Sequence, residues 1–334
     1  MRTASSEFSR RGVLSAGASL AISGTGADRA GSSTAELMFD SHSHLVSPDI
    51  ARYPPLPTAS AQAAGNLPDI GFRQFGTARP IADARAMTGW MRAAGVDGLA
   101  AIQKRGTYGL DNRYILDSAA RYPNIFFPVI ILDAQDDATP VEVTALALHG
   151  LAGVRLTGVM APDGSFPWLA SEKADRLWAV AAKTGMVIDI MTNPFGHPIQ
   201  AIPVYADLAR RFPAVRIVID HLNWPDARGA PDFGLDAAIL GLSRHPNIFF
   251  KFTTMNMDKL QDAGLSPAAF LAHAVDVLGV SRLVWGSDMG NTPGTYAELV
   301  ARAHASAVRL PAEARRAVFR DNGRALFTRR YRQG

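Results

Sequence analysis

Asp40, His42 and His44 alternate along Phe39-Asp40-Ser41-His42-Ser43-His44, so an extended chain would project all three from one side. Two imidazoles placed this way can begin a metal site or a proton-transfer site, because a neutral ring ligates and a protonated one donates. The plain alternative is a histidine pair beside a surface turn. A second feature far down the chain argues for chemistry: Leu283-Val284-Trp285-Gly286-Ser287-Asp288 is an apolar run closed by a carboxylate. If the intervening elements close a ring, Asp288 faces His42 and His44. A carboxylate among imidazoles can take a proton from attacking water, so Asp288 is the expected catalytic base, with capping of the next segment as the rival role.

The elements that must bring these ends together are legible as an alternation. Apolar runs at 38–44, 98–103, 125–132, 153–157, 186–191, 216–221, 247–252 and 282–288 predict eight strands. Between them, helical patterns are predicted at 81–94, 112–121, 140–149, 171–184, 202–211, 235–244 and 267–278, and 311–328 closes the chain as one or more helices. Runs that are apolar almost throughout suit parallel strands covered on both faces. Such a series forms either an open doubly wound sheet or a closed α/β barrel of the (β/α)8, or TIM, type. The barrel is favoured by the strand count, by the absence of a glycine-rich phosphate loop after the first strand, and by polar residues at strand ends. The long Pro- and Gly-containing span at 45–79, directly after the first strand, is expected to be a lid.

Further candidates sit at the same strand ends. His221 is expected to orient a substrate carbonyl or donate to a developing oxyanion, with a satisfied core histidine as the rival. Arg155 ends a buried run, where a guanidinium needs an anion: a substrate carboxylate or ester oxygen, or an internal partner such as Asp189 or Asp133. Lys251 carries the same two readings. Trp224, Tyr108 and Arg79 fall in loops that would line the mouth. His149, His197, His245, His273 and His304 are explained by helix or surface positions.

Composition bounds the rest. With 334 residues, 48% of them apolar and 19% charged, the chain can bury a large core and is not a disordered one. A net charge of +4 without a long basic block after the leader disfavours a nucleic-acid surface and suits a small anionic substrate. There is no cysteine, so any metal must be held by histidine or oxygen. Ser9-Arg10-Arg11-Gly12-Val13-Leu14, followed by a mildly apolar stretch and small residues near Ala27 and Ala30, reads as a twin-arginine signal peptide over residues 1–30. The rival reading is an ordinary basic tail. The leader is too short and polar to be a permanent membrane span. The expected product is one catalytic domain, 31–334, exported to the periplasm by the twin-arginine machinery, with a dimer compatible with an apolar lid.

Asp40-Ser41-His42-Ser43-His44, Gly153-Val154-Arg155-Leu156, Val218-Ile219-Asp220-His221-Leu222-Asn223-Trp224-Pro225 and Trp285-Gly286-Ser287-Asp288 together resemble the amidohydrolase-related (amidohydrolase 2) family. The likeness is to its TIM-barrel branch of lactonases and predicted metal-dependent hydrolases, and runs from Met38 to Phe327. It implies that the first-strand histidines and last-strand aspartate surround the reaction centre and that the aspartate activates water. Metal-binding relatives add a strong ligand at the end of the fifth strand. Here Val187-Ile188-Asp189-Ile190-Met191-Thr192-Asn193 has no histidine, and Met191 suits a hard cation poorly. The resemblance therefore leaves two options: one zinc or manganese on His42, His44 and Asp288, with His221 as a further ligand, or metal-free catalysis. The missing ligand tilts the expected substrate toward a lactone or related carboxylic ester. The alternatives are a metal-dependent decarboxylase of the same fold and a non-catalytic periplasmic binding protein.

Overall fold

The structure, a computed structural model, describes residues 36–56, 82–227, 229 and 231–328. The expected signal peptide, Arg79 and most of the expected lid lie outside the described residues. Eight parallel strands stand in sequence order in one sheet: β1 (Met38–His44), β2 (Val96–Ile102), β3 (Phe126–Ile131), β4 (Gly153–Gly158), β5 (Val187–Thr192), β6 (Arg216–Ile219), β7 (Ile248–Thr253) and β8 (Leu283–Gly286). The sheet curls until its edges meet just beyond β8. Ser43 pairs with Met289 in an isolated parallel bridge, His44 N donates to Met289 O (3.0 Å), and Asp288 N donates to His42 O (2.7 Å). With helices between the strands, this is the (β/α)8 barrel expected from the alternation.

A buried carboxylate helps fasten that seam. Asp40 Oδ1 accepts from the backbone of both His42 (3.0 Å) and Ser287 (2.9 Å), and Oδ2 accepts from the Tyr296 hydroxyl (3.1 Å). Asp40 thus ties β1 to the segment after β8, while burial pushes its carboxyl up to about 6. Gly286 permits the close approach: a Cβ there would come within 2.5 Å of His42 Cβ.

Alternation along the strands separates two environments. Ile130, Val154, Ile188, Ile217 and Phe250 belong to the large core shared with helix residues such as Met87, Leu177 and Trp178. Phe39, Val129, Val187, Val218, Val284 and Phe327 form a separate inner cluster that plugs the barrel. One strand period beyond that plug come Asp189 after Val187, Asp220 after Val218 and Lys251 after Phe249, all buried. Arg155 pairs in register with Asp189. The inner wall therefore changes from apolar to charged within two residues.

Most predicted helices are present within a few residues, but three helical segments were not foreseen: Arg105–Tyr108, Thr254–Asp262 and Tyr296–Ser306. The last had a signal in Thr295 and Glu298, which form a reciprocal capping box. Strand β6 is shorter than predicted because the chain leaves the extended conformation after Ile219 in a tight turn with left-handed dihedrals at His221 and Leu222. Among the described residues no helix is long and apolar enough to cross a membrane.

Candidate active site

The closed seam brings the first-strand histidines to the last-strand aspartate. His42 Nε2 lies 3.4 Å and His44 Nε2 3.5 Å from the same oxygen, Asp288 Oδ1, and all three side chains are buried. Asp288 adopts a left-handed backbone (φ 54°) on leaving β8, a conformation that aspartate tolerates better than most residues. His44 Nδ1 faces the Ile102 carbonyl at 3.0 Å. A carbonyl only accepts, so Nδ1 carries the proton and Nε2 keeps a lone pair. Asn291 Nδ2 donates to both His44 Nε2 (2.9 Å) and Asp288 Oδ1 (3.0 Å), and Lys104 in turn bonds Asn291 Oδ1 and the Gly290 carbonyl. Two buried atoms of the group have no hydrogen-bond partner among the described residues, His42 Nε2 and Asp288 Oδ2.

Beneath this pair lies the charged layer. Lys251 bonds Asp189, lies 3.0 Å from Asp220 Oδ1 and 3.2 Å from His42 Nδ1. Arg155 grips the other Asp220 oxygen through Nε (2.8 Å) and Nη2 (2.7 Å). Lys251 is thus held in internal ion pairs. Arg155 pairs with Asp220, a residue that had been given no role of its own, yet keeps 7% side-chain exposure where Lys251 has 0%.

His221 begins a run of four residues with positive φ, His221 to Trp224 (52°, 53°, 61° and 59°). Each costs about 1–2 kcal/mol for a residue with a Cβ, so neighbours must hold the turn. Asn256 Nδ2 donates to the His221 carbonyl (3.0 Å), and Asn223 is held by the Pro198 carbonyl (3.0 Å) and the Tyr205 hydroxyl (3.3 Å). The Thr253 hydroxyl donates to Asn256 Oδ1 (3.1 Å), so it accepts from His221 Nδ1 at 2.7 Å. A neutral His221 held this way presents an acceptor at Nε2. Trp224 stacks on His221 with ring centroids 4.2 Å apart, and its indole N–H is fixed on the Thr192 carbonyl (2.9 Å). Tyr108 is buried, and its hydroxyl accepts from Ser47 N (2.8 Å) beneath the loop after β1.

Burial sets the protonation states. It lowers His42, His44 and His221, the last to about 4, so the three rings are neutral at neutral pH. Burial raises the Asp288 carboxyl, but His44, His42 and His221, cationic in the acid range where that carboxyl titrates, outweigh it and hold the group well below the usual carboxylate range. Asp220 is likewise kept ionised against its burial by Lys251 and Arg155. Asp189 goes the other way, up to about 7, through burial and the charge of Asp220.

Among the described residues two groups of donors converge closely enough to hold a metal: His42, His44 and Asp288, and His42, Asp220 and His221. The first fits one divalent cation. It offers imidazole nitrogen and carboxylate oxygen, a proton-fixed His44, and an unpartnered His42 Nε2. In the second, the Lys251 ammonium already contacts Asp220 and His42, so a second cation does not fit. Asp189 lies against Lys251 rather than in either group, in keeping with the missing fifth-strand ligand.

Of the candidates, His42, His44, His221 and Asp288 come together, with Arg155 and Lys251 beneath and Trp224 beside them. Asp220, Asn291, Lys104, Thr253 and Asn256 had not been singled out. Alternation from Val218 would have found Asp220; the others act across the barrel and leave no local pattern.

A sequence model of the amidohydrolase family matches residues 39–329. An L-fucono-1,5-lactonase of Burkholderia ambifaria is 26% identical over 185 residues, covering 53% of this chain and 60% of that protein. Among solved structures, a Pseudomonas putida protein assigned as a 2-pyrone-4,6-dicarboxylic acid hydrolase superposes with a TM-score of 0.66 at 23% identity, covering 87% of this chain and 97% of its own. A 5-carboxyvanillate decarboxylase of Novosphingobium aromaticivorans, solved with manganese, has a TM-score of 0.58 at 13% identity, covering 89% and 97%. Identities this low in the two structures speak for the fold alone.

Proposed function

The chain belongs to the amidohydrolase family, and from that premise we propose that it hydrolyses a lactone or related carboxylic ester of a small substrate. The observation that carries the proposal is the buried Asp288 carboxylate beside two imidazoles, with Oδ1 engaged by Asn291 and Oδ2 without a hydrogen-bond partner among the described residues. Oδ2 is then the proton acceptor. As water adds to the carbonyl carbon, one of its protons passes to Asp288 Oδ2. The bond to the ring oxygen breaks, the departing alkoxide takes that proton, and a hydroxy acid remains. In this reading Arg155, a buried cation with 7% side-chain exposure, meets the carbonyl oxygen.

His42, His44 and Asp288 would hold one zinc or manganese ion, which when bound would polarise the carbonyl and acidify water. The same donors would serve a metal-dependent decarboxylase, and product analysis separates the two: a hydroxy acid from a lactone, or carbon dioxide from an aromatic acid. The test is a screen of lactones and aryl esters on the full chain, with and without added divalent metal. Turnover that disappears in Asp288→Asn supports the proposal; no hydrolysis of any member, with or without metal, rejects it. The twin-arginine leader adds a proposed export route, checked by whether residues 1–30 carry a folded reporter out of the cytoplasm and Arg10→Lys/Arg11→Lys prevents it.

A further inference from the structure

The two imidazoles of the first strand meet opposite kinds of neighbour at Nδ1. His44 Nδ1 faces the Ile102 carbonyl at 3.0 Å, and a carbonyl only accepts. His42 Nδ1 faces Lys251 Nζ at 3.2 Å, and an ammonium only donates. The rival partner is Asp220 Oδ1, 3.3 Å from the same nitrogen, yet that oxygen makes no hydrogen bond among the described residues. Lys251 is itself anchored on Asp189 and lies 3.0 Å from Asp220 Oδ1, with no side-chain exposure. Two carboxylates therefore answer its charge where it stands.

His42 has little room to turn away from this contact. Its backbone N–H donates to Asp40 Oδ1 (3.0 Å), and its carbonyl accepts from Asp288 N (2.7 Å). The ring lies against those of His44 and His221, with centroids 5.1 and 5.4 Å away. Relocating a proton between its two nitrogens disturbs less than swinging the ring.

We propose that Lys251 holds His42 in the tautomer with its proton on Nε2, opposite to His44, so that this proton must move to Nδ1 before the centre can take a metal. Lys251 is thus a positioning residue that acts through His42. His42 Nε2, 3.4 Å from Asp288 Oδ1 and without a hydrogen-bond partner among the described residues, is then an N–H open to an oxygen of a ligand. In the metal-ready form the proton sits on Nδ1, where Asp220 Oδ1 is the acceptor within reach and the ammonium stands in the way. The ring is neutral in both forms, so no group changes its charge. The inference rests on reading His42, His44 and Asp288 as the metal seat and does not depend on the reaction carried out there.

The test reads the tautomer directly. The full chain, freed of metal by chelation and nitrogen-15-labelled at histidine, is examined by long-range proton–nitrogen correlation at one neutral pH, with His42→Gln and His44→Gln to assign the signals. His44 should be protonated at Nδ1 and His42 at Nε2. In Lys251→Met/Asp189→Asn, which removes the ammonium without stranding the Asp189 carboxylate, His42 should switch to Nδ1–H and donate to Asp220. Titrated with zinc, that variant should bind about 10–100-fold more tightly than Asp189→Asn, which keeps Lys251. An Nδ1-protonated His42 in wild type overturns the proposal, and so does equal zinc affinity of the two variants. Tighter zinc binding with an unchanged tautomer would reduce Lys251 to plain charge repulsion and overturns it as well. If the double variant fails to fold, the wild-type spectrum still decides, because Nδ1–H on His42 leaves Lys251 no acceptor there. No turnover is read, so a chain that hydrolyses no lactone would reject the proposed reaction and leave this result untouched.

Discussion

Replacing Lys251 by methionine probes the charged layer directly. Methionine keeps most of the volume and removes the ammonium that contacts Asp189, Asp220 and His42 in a setting with no solvent exposure. Asp220 still has Arg155; Asp189 loses its only described ion-pair partner. Removing one member of a buried pair costs about 3–5 kcal/mol, against a total stability of about 5–15 kcal/mol. With a urea slope of about 3 kcal/mol per molar, the unfolding midpoint should fall by roughly 1–1.7 M. The loss should also depend on pH. Asp189 is already raised to about 7 by burial and Asp220, and Lys251 opposes that rise, so its removal moves the carboxyl higher still. A raised folded-state pKa means the folded chain holds a proton that the unfolded chain releases, so stability falls as pH climbs from the unfolded value through the folded one. Lys251→Met should therefore be penalised more at pH 8 than at pH 5.5, and adding Asp189→Asn should restore much of the loss. Urea melts of the two variants at both pH values give the answer. A cost below about 1 kcal/mol, far under the buried-pair range, or a double variant no better than the single one, refutes the reasoning.

Asp288→Asn keeps the shape at the seam but cannot accept the proton from water, so turnover on a responsive lactone should drop by about 10²–10⁴ in kcat while the melting temperature stays near wild type; an unchanged kcat would remove Asp288 as the base. Metal titration followed by elemental analysis should find no more than one divalent ion per chain, and His44→Gln should weaken its retention; two ions in wild type would contradict the placement of Lys251. Gly286→Ala forces a Cβ to 2.5 Å from His42 Cβ, an overpacking that should cost about 1–3 kcal/mol and reduce activity together with stability. A variant as stable and active as wild type would show that the seam is looser than described.

The alternation of apolar runs and helical patterns was enough to predict the barrel, because parallel strands buried on both faces leave a continuous apolar signature. Its ends also pointed to His42, His44 and Asp288, since polar side chains closing apolar runs stand out against their surroundings. Local signals were less complete where the backbone departs from regular dihedrals. Nothing in His221-Leu222-Asn223-Trp224 announces four left-handed residues in a row, and β6 was consequently drawn too long.

What the sequence determines by itself is which residues can face the barrel interior, because the two-residue period of a strand is a local property. What the tertiary structure decides is who meets whom there. Arg155 takes Asp220 rather than Asp189, Lys251 stands against the second donor group, and Asn291 reaches back to His44, a partner 247 positions away in the chain. These pairings follow from the order of strands around a closed ring and from the cost of leaving any buried charge alone, and both are properties of the assembled barrel rather than of any segment.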